Sequence, residues 1–215
     1  MIKIQKLDLL IAVYIFCVAV SEMMGAKTFP ILTSPIRLNA SVAIFVIPVI
    51  FSINDIIAEV FGKERARSVV WSGLIVIALI LAFSLLATAL PPSKRFEGME
   101  KAYDTIFIYS ARIALASLTA FAVADFLDVY IFSKIRESLG RKALWLRNNL
   151  SNFISQFVDT TIFISLAFYA LDKPFIENAG FLWSLILPYW LLKTFMSVIE
   201  TPFVYLGVNW LRGKK

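Results

Sequence analysis

The charged residues of this 215-residue chain are clumped, and the stretches between the clumps are largely apolar and about 20 residues long or longer. A helix of about 20 mainly apolar residues can cross the hydrocarbon core of a bilayer. The composition agrees, because 60% of the residues are hydrophobic and only 17% are charged. A soluble chain of this size could not remove so much apolar surface from water. We therefore predict an all-α membrane protein surrounded by a lipid bilayer.

Six apolar runs are long enough to be transmembrane helices, and they form a predicted six-helix bundle. The predicted spans cover residues 7–26, 40–59, 68–90, 106–132, 149–171 and 180–210. The last run contains Pro188 and Pro202, so we expect its helix to be kinked or broken. No soluble domain of useful size remains outside these runs. Residues 1–215 are therefore predicted to be a single transmembrane domain.

The Lys and Arg residues that flank the spans are unequally divided between the two sides of the membrane. The termini and the two basic loops on their side carry 13, the other side carries 6, and Arg112 and Lys193 lie inside spans. Because cytoplasmic loops carry the excess of Lys and Arg, we predict that both termini are cytoplasmic and that the protein lies in the cell membrane. Two groups of three spans also suggest a 3+3 internal repeat, which is common in transporters.

Several function classes are disfavoured by residues that the sequence lacks. The chain has no histidine and one cysteine, Cys17, which removes Ser-His and Cys-His nucleophile pairs and the commonest ligand of transition metals. It has no G-x-x-x-x-G-K-[ST] loop for ATP. Its basic residues lie between apolar runs and form no stripe on a polar face for nucleic acid. We therefore expect no enzyme, no cofactor or metal site, and no direct nucleic-acid partner.

Ionisable residues inside the predicted spans are the strongest functional signal, because each costs a few kcal/mol near the bilayer centre. They are Glu22, Asp55, Glu59, Arg112, Asp125, Asp128, Asp159, Lys193 and Glu200. The excess of acids over bases predicts a cavity that accepts N–H donors, a cation or a proton. Glu22 and Glu59 lie near helix ends, so an interfacial position explains them equally well.

Helical spacing places polar residues in stripes, because residues three, four and seven apart share a helix face. The predicted stripes are Asn149, Asn152, Gln156 and Asp159 on the fifth span, Tyr189, Lys193 and Glu200 on the sixth, Asp125 and Asp128 on the fourth, and Asn54 and Asp55 on the second. Lys193 and Asp159 are an expected interhelical ion pair. A set of pairs that only holds the bundle together is the alternative to a binding cavity.

Polar residues at set places in these apolar spans also carry a family resemblance. The segments concerned are FSINDIIAEVFG at 51–62, RIALAS at 112–117, DFLDV at 125–129, and WLRNNLS at 145–151 with Gln156 and Asp159 after it. From about Ser21 to Pro202 the chain resembles the queuosine precursor transporters, which are grouped with vitamin uptake transporters. The resemblance implies a six-span importer of 7-cyano-7-deazaguanine, 7-aminomethyl-7-deazaguanine or queuine for tRNA modification.

The chemistry of such a ligand is compatible with the acidic stripes, since a 7-deazaguanine presents N–H donors that a carboxylate can accept in pairs. We predict a cavity between the second, fourth, fifth and sixth spans. The candidate binding residues are Asn54, Asp55, Arg112, Asp125, Asp128, Arg147, Asn149, Asn152, Gln156, Asp159, Tyr189, Lys193 and Glu200. Asp159 and Gln156 are expected to read the purine-like edge, and Asp125 and Asp128 to hold a cation or proton. Arg112 and Lys193 are expected to balance the acids.

Three alternatives remain open at the level of sequence. The chain could be a substrate-binding subunit that works with a separate motor, a transporter for a vitamin or another planar heterocycle, or a non-transporting scaffold. Coupling to a proton or cation is also left open. So is a homodimer, although the spans contain no decisive small-xxx-small seam for one.

Overall fold

A computed structural model of the chain consists of helices and one small hairpin. It describes the backbone of residues 5–35, 37–139 and 144–213, and the side chains of these ranges except 125, 126, 128–152 and 196–201. In chain order the elements are α1 (Lys6–Met24), β1 (Thr28–Leu32), β2 (Leu38–Ser41), a 3-10 helix (Val42–Phe45), α2 (Ile47–Phe61), α3 (Lys63–Ala89), α4 (Glu97–Leu139), α5 (Leu144–Phe168) and α6 (Phe175–Arg212).

Each predicted span corresponds to a helix of the structure. Within the described residues, five helical segments are long and apolar enough to cross a membrane: Lys6–Met24, Val42–Phe61, Lys63–Ala89, Glu97–Ala124 and Phe175–Phe195. The fifth predicted span corresponds to a shorter apolar segment, Phe153–Phe168. The mostly helical prediction is thus confirmed, whereas the count of six crossings, the orientation and the 3+3 repeat stay predictions.

Helix α6 is continuous through both of its prolines, so of the two expected outcomes the break is absent and the kink stays a prediction. Pro188 and Pro202 lie inside one helix of 38 residues, about 57 Å long at 1.5 Å per residue. Membrane helices tolerate proline because neighbouring groups satisfy the freed backbone carbonyls. Gly213 ends the helix with a left-handed conformation, φ 68°, and its N–H bonds back to the carbonyls of Asn209 and Trp210.

The first four helices share one core of close helix–helix contacts. Its buried members are Tyr14, Val18, Ile53, Ile57, Ala66, Val69, Ile77 and Ala114. Small residues let these backbones approach, which is how helices associate in lipid. At Gly73 of α3, for example, a Cβ would lie 3.0 Å from the Tyr14 ring of α1, so a larger residue would push these two helices apart.

A two-stranded antiparallel hairpin lies between α1 and α2 and was not predicted from the sequence. Its second strand includes residue 40, where the second span was predicted to begin. Phe29 of β1 lies opposite Ala40 of β2, and Ala40 is buried against residues of α5 and α6. Asn39 donates to Ser184 of α6 at 2.7 Å, and Ser41 donates to the carbonyl of Gly25 at 2.5 Å. These bonds fix the hairpin between the end of α1 and α6, so α2 begins only at Ile47.

Candidate substrate cavity

A cavity of about 440 Å³ lies in the middle of the bundle, with residues of all six helices in its wall. Its polar lining consists of Ser21, Glu22, Ser117, Ser155, Gln156, Asp159, Tyr189 and Lys193. The other described residues of the wall are apolar. Sites for small organic molecules commonly have volumes of about 300–1,000 Å³, mainly apolar walls and a few convergent polar groups. Residues of α1 and α3 line the cavity in addition to residues of the four helices that were predicted to form it.

The predicted ion pair between Lys193 and Asp159 is present and joins α6 to α5 in the wall of this cavity. The Lys193 ammonium donates to Asp159 Oδ2, and the two side chains are 15% and 19% exposed. Gln156 and Tyr189 belong to the same cavity wall. The structure therefore brings together the described members of the two stripes that were predicted on the fifth and sixth spans.

Tyr189 connects the cavity wall to the hairpin. Its side chain is buried, and its hydroxyl donates to the carbonyl of Ser41 at 3.1 Å. Ala43 and Ile47, which directly follow the hairpin, also line the cavity. The 3-10 helix after the hairpin therefore forms part of the cavity wall, and the hairpin contacts that wall through Tyr189.

Glu22 is the cavity residue that the sequence left undecided, and the structure buries its side chain within the bundle. It is only 5% exposed, and its two carboxylate oxygens accept from the Ser117 hydroxyl of α4 at 3.0 and 3.2 Å. None of the ion pairs between described side chains includes Glu22. Glu59, by contrast, is exposed and lies 3.5 Å from Arg212.

Asn54 lies in a different cavity, of about 530 Å³, with Lys63, Arg67 and Trp71. Its side-chain oxygen is buried and has no hydrogen-bond partner among the described residues. Phe121 lines both this cavity and the central one, so it stands between them. Asp55, next in sequence to Asn54, is exposed and lines neither cavity.

Arg112 does not line the central cavity but binds backbone at the end of α5. Its Nε donates to the carbonyl of Leu166 at 2.7 Å and its Nη2 to that of Tyr169 at 2.6 Å. The last carbonyls of a helix lack intrahelical partners, and a cation is favourable there. Between described side chains Arg112 forms no ion pair, so its predicted role of balancing the acids has no contact to support it.

The remaining candidates lie outside the described side chains: Asp125, Asp128, Arg147, Asn149, Asn152 and Glu200. Where side chains are described, no group of three or more acids and cysteines is arranged to hold a metal ion.

Comparison with known proteins places this architecture in a family. The model of the family described as "Putative vitamin uptake transporter" matches residues 41–207, a range that contains every cavity-lining residue except Ser21 and Glu22. No solved structure matches the chain.

Three curated relatives carry a transporter name. A "Probable queuosine precursor transporter" of Bacillus subtilis (strain 168) is 34% identical over 157 residues, which are 73% of this chain and 66% of the relative. A protein of the same name from Haemophilus influenzae is 31% identical over 61% of this chain and 53% of its own length. The "Queuosine precursor transporter" of Escherichia coli (strain K12) is 30% identical over 62% of this chain and 58% of its own.

These matches span between about half and two thirds of the length of the curated relatives. The family model, however, covers well over half of this chain. The apolar helices agree with it, since they are those of a multi-pass membrane protein. The protein therefore belongs to the family of putative vitamin uptake transporters.

Proposed function

We propose that this protein imports a queuosine precursor, a 7-deazaguanine base, across the cell membrane through the central cavity. In this proposal the single domain crosses the membrane six times and both termini are cytoplasmic. The names of the three relatives support the ligand class. The observation that carries the proposal is the cavity of about 440 Å³, in which polar side chains from several helices converge between apolar walls.

The lining residues have the chemistry that a planar, polar base requires. Phe121 and Phe163 offer aromatic surface for contact with the ring faces. Gln156 provides both an N–H donor and an acceptor, and Lys193 provides donors only. The members of the predicted binding set that line the central cavity are Gln156, Asp159, Tyr189 and Lys193.

Asn54 takes a different place in the proposal. Its cavity adjoins the central one at Phe121 and contains two cations from the basic segment at the start of α3. Because that segment is predicted to be cytoplasmic, we place Asn54 on the exit route of the base. Asp55, Arg112 and the six candidates without described side chains stay predictions. Coupling to a proton or cation and a homodimeric state also stay predictions.

The proposal is tested by uptake of labelled 7-cyano-7-deazaguanine into cells that neither make nor import the base. Expression of the chain is expected to give uptake, and Asp159→Asn to reduce it by at least tenfold, because the variant loses the acid beside Lys193. Asp8→Asn, which changes an exposed acid in the first turn of α1, is the matched control and is expected to behave as the wild type.

The alternatives give different results in the same system. Uptake that remains at background, together with binding of another planar heterocycle in a competition panel, would replace the ligand class. Purified chain in vesicles that binds the base but does not move it would indicate a binding subunit. If the chain binds neither the 7-deazaguanine base nor another planar heterocycle, the interpretation as a non-transporting scaffold remains.

A further inference from the structure

We propose that Glu22, oriented by Ser117, is the carboxylate that binds the paired N–H donors of the base. This inference rests on the proposed function and assigns the recognition of that ligand to a residue that the predicted set omitted. Asp159 is then the anion that holds Lys193 in place. The purine-like edge of the base binds instead to Glu22, on the side of the cavity formed by α1 and α4.

The first argument is the number of acceptor sites that each acid has left. Asp159 Oδ2 accepts from the Lys193 ammonium, so the charge of this acid already has a counter-charge. Glu22 has one described partner, the neutral hydroxyl of Ser117. An ionised carboxylate offers about four acceptor sites and a hydroxyl donates one hydrogen. Glu22 therefore retains most of its acceptor sites and borders the cavity.

The second argument is geometric. The Ser117 oxygen lies at nearly equal distances from the two carboxylate oxygens, 3.0 and 3.2 Å, so its single hydrogen is shared along the edge of the carboxylate that a pair of donors would also use. A ligand with two N–H groups can take the place of this one neutral hydrogen on that edge and form two hydrogen bonds there. Two carboxylate oxygens side by side match two parallel N–H groups, and charged hydrogen bonds of this bidentate kind are stronger than neutral ones. A ring N–H next to an exocyclic amino group, as in a 2-amino-4-oxopyrimidine ring, presents such a pair.

The surroundings of Glu22 strengthen this kind of contact. Ile77, Ile113 and Phe121 line the same cavity, and an apolar wall lowers the local dielectric around a hydrogen bond. Gln156 and Lys193 remain as donors for the ring carbonyl. A neutral base with a donor pair thus satisfies the buried acid without bringing a second charge into the bundle.

The experiment measures binding of three ligands to the purified full chain by titration calorimetry. They are 7-cyano-7-deazaguanine, 7-aminomethyl-7-deazaguanine, and the cyano base without its 2-amino group. We expect Glu22→Gln to weaken the first two about 10- to 100-fold, as hydrogen bonds to a charged group imply. The analogue without the amino group is expected to bind the wild type correspondingly weakly and to lose little more in the variant.

Glu59→Gln is the matched control, because it makes the same chemical change at an exposed acid outside the cavity. It is expected to bind all three ligands as the wild type does. Gel filtration reports whether each variant is folded. If Glu22→Gln does not fold, the inference is tested with Ser117→Ala and with the comparison of the ligands on the wild type. An affinity of the wild type that does not depend on the 2-amino group of the ligand overturns the inference.

Four other results also overturn it. Equal affinity of the wild type and Glu22→Gln removes Glu22 from the site, while the proposed function stands. A loss confined to the aminomethyl base assigns Glu22 to the ligand's ammonium group, and lost uptake with unchanged binding assigns it to proton or cation coupling. Absence of binding of all three ligands by the wild type overturns the proposed function, and this inference with it.

Discussion

The central cavity has two acids in its wall, buried Glu22 and half-buried Asp159, whose partners differ in charge. On the wall formed by α5 and α6, Asp159 binds the ammonium of Lys193. On the wall formed by α1 and α4, Glu22 binds the hydroxyl of Ser117. Removing one partner of a buried ion pair leaves an uncompensated charge, which is costly, so the first wall is suited to holding helices together. The second wall keeps acceptor sites available, which suits it to ligand binding.

The largest effect is expected from Lys193→Met, which removes the cation from the first wall. Asp159 is then left half-buried without a counter-charge, and the free energy of unfolding should fall by about 3 kcal/mol. Thermal unfolding in detergent measures this loss. The double variant Lys193→Met/Asp159→Leu serves as the comparison and should recover much of the stability, because no charge is left behind. A double variant less stable than the single one would show that the pair is not the stabilising feature of this wall.

A smaller loss is expected from Ser117→Ala, which removes the hydroxyl from the second wall. The Glu22 carboxylate then lacks its donor, and the free energy of unfolding should fall by about 1–2 kcal/mol. The same unfolding assay measures it. Thr119→Ala in the same helix is the control, since the Thr119 hydroxyl donates only to the backbone carbonyl of Leu115 in the described structure. Equal losses in the two variants would mean that the contact with Glu22 adds nothing.

The first wall could be predicted from the sequence, and the reason is local. Asp159 and Lys193 lie near the middle of long apolar runs and have opposite charges, so each needed a partner at the same depth. The long apolar helices could be predicted as well, because length and hydropathy decide them without knowledge of neighbours.

The second wall depends on contacts between distant parts of the chain, and spacing within one helix does not show these. Glu22 lies four residues before the end of its predicted run, and the hairpin that contacts this end of α1 was not predicted. Ser117 reaches it from α4, 95 residues away. Arg112 illustrates the same limit, since the carbonyls that it binds belong to the end of another helix. Polar residues could be placed on helix faces, but their partners could not be assigned.

The smallest effect on stability is expected from Glu22→Gln, and it sharpens the contrast between the walls. The glutamine oxygen can still accept from Ser117, and the buried charge is gone, so the free energy of unfolding should change by less than about 1 kcal/mol. Thermal unfolding without ligand measures this change beside that of Lys193→Met. If Glu22→Gln destabilises the protein as much as Lys193→Met does, Glu22 holds helices together as Asp159 does. A stable variant that has lost affinity for the base would mean instead that Glu22 is retained for recognition, because its charge is then needed by the ligand and not by the fold.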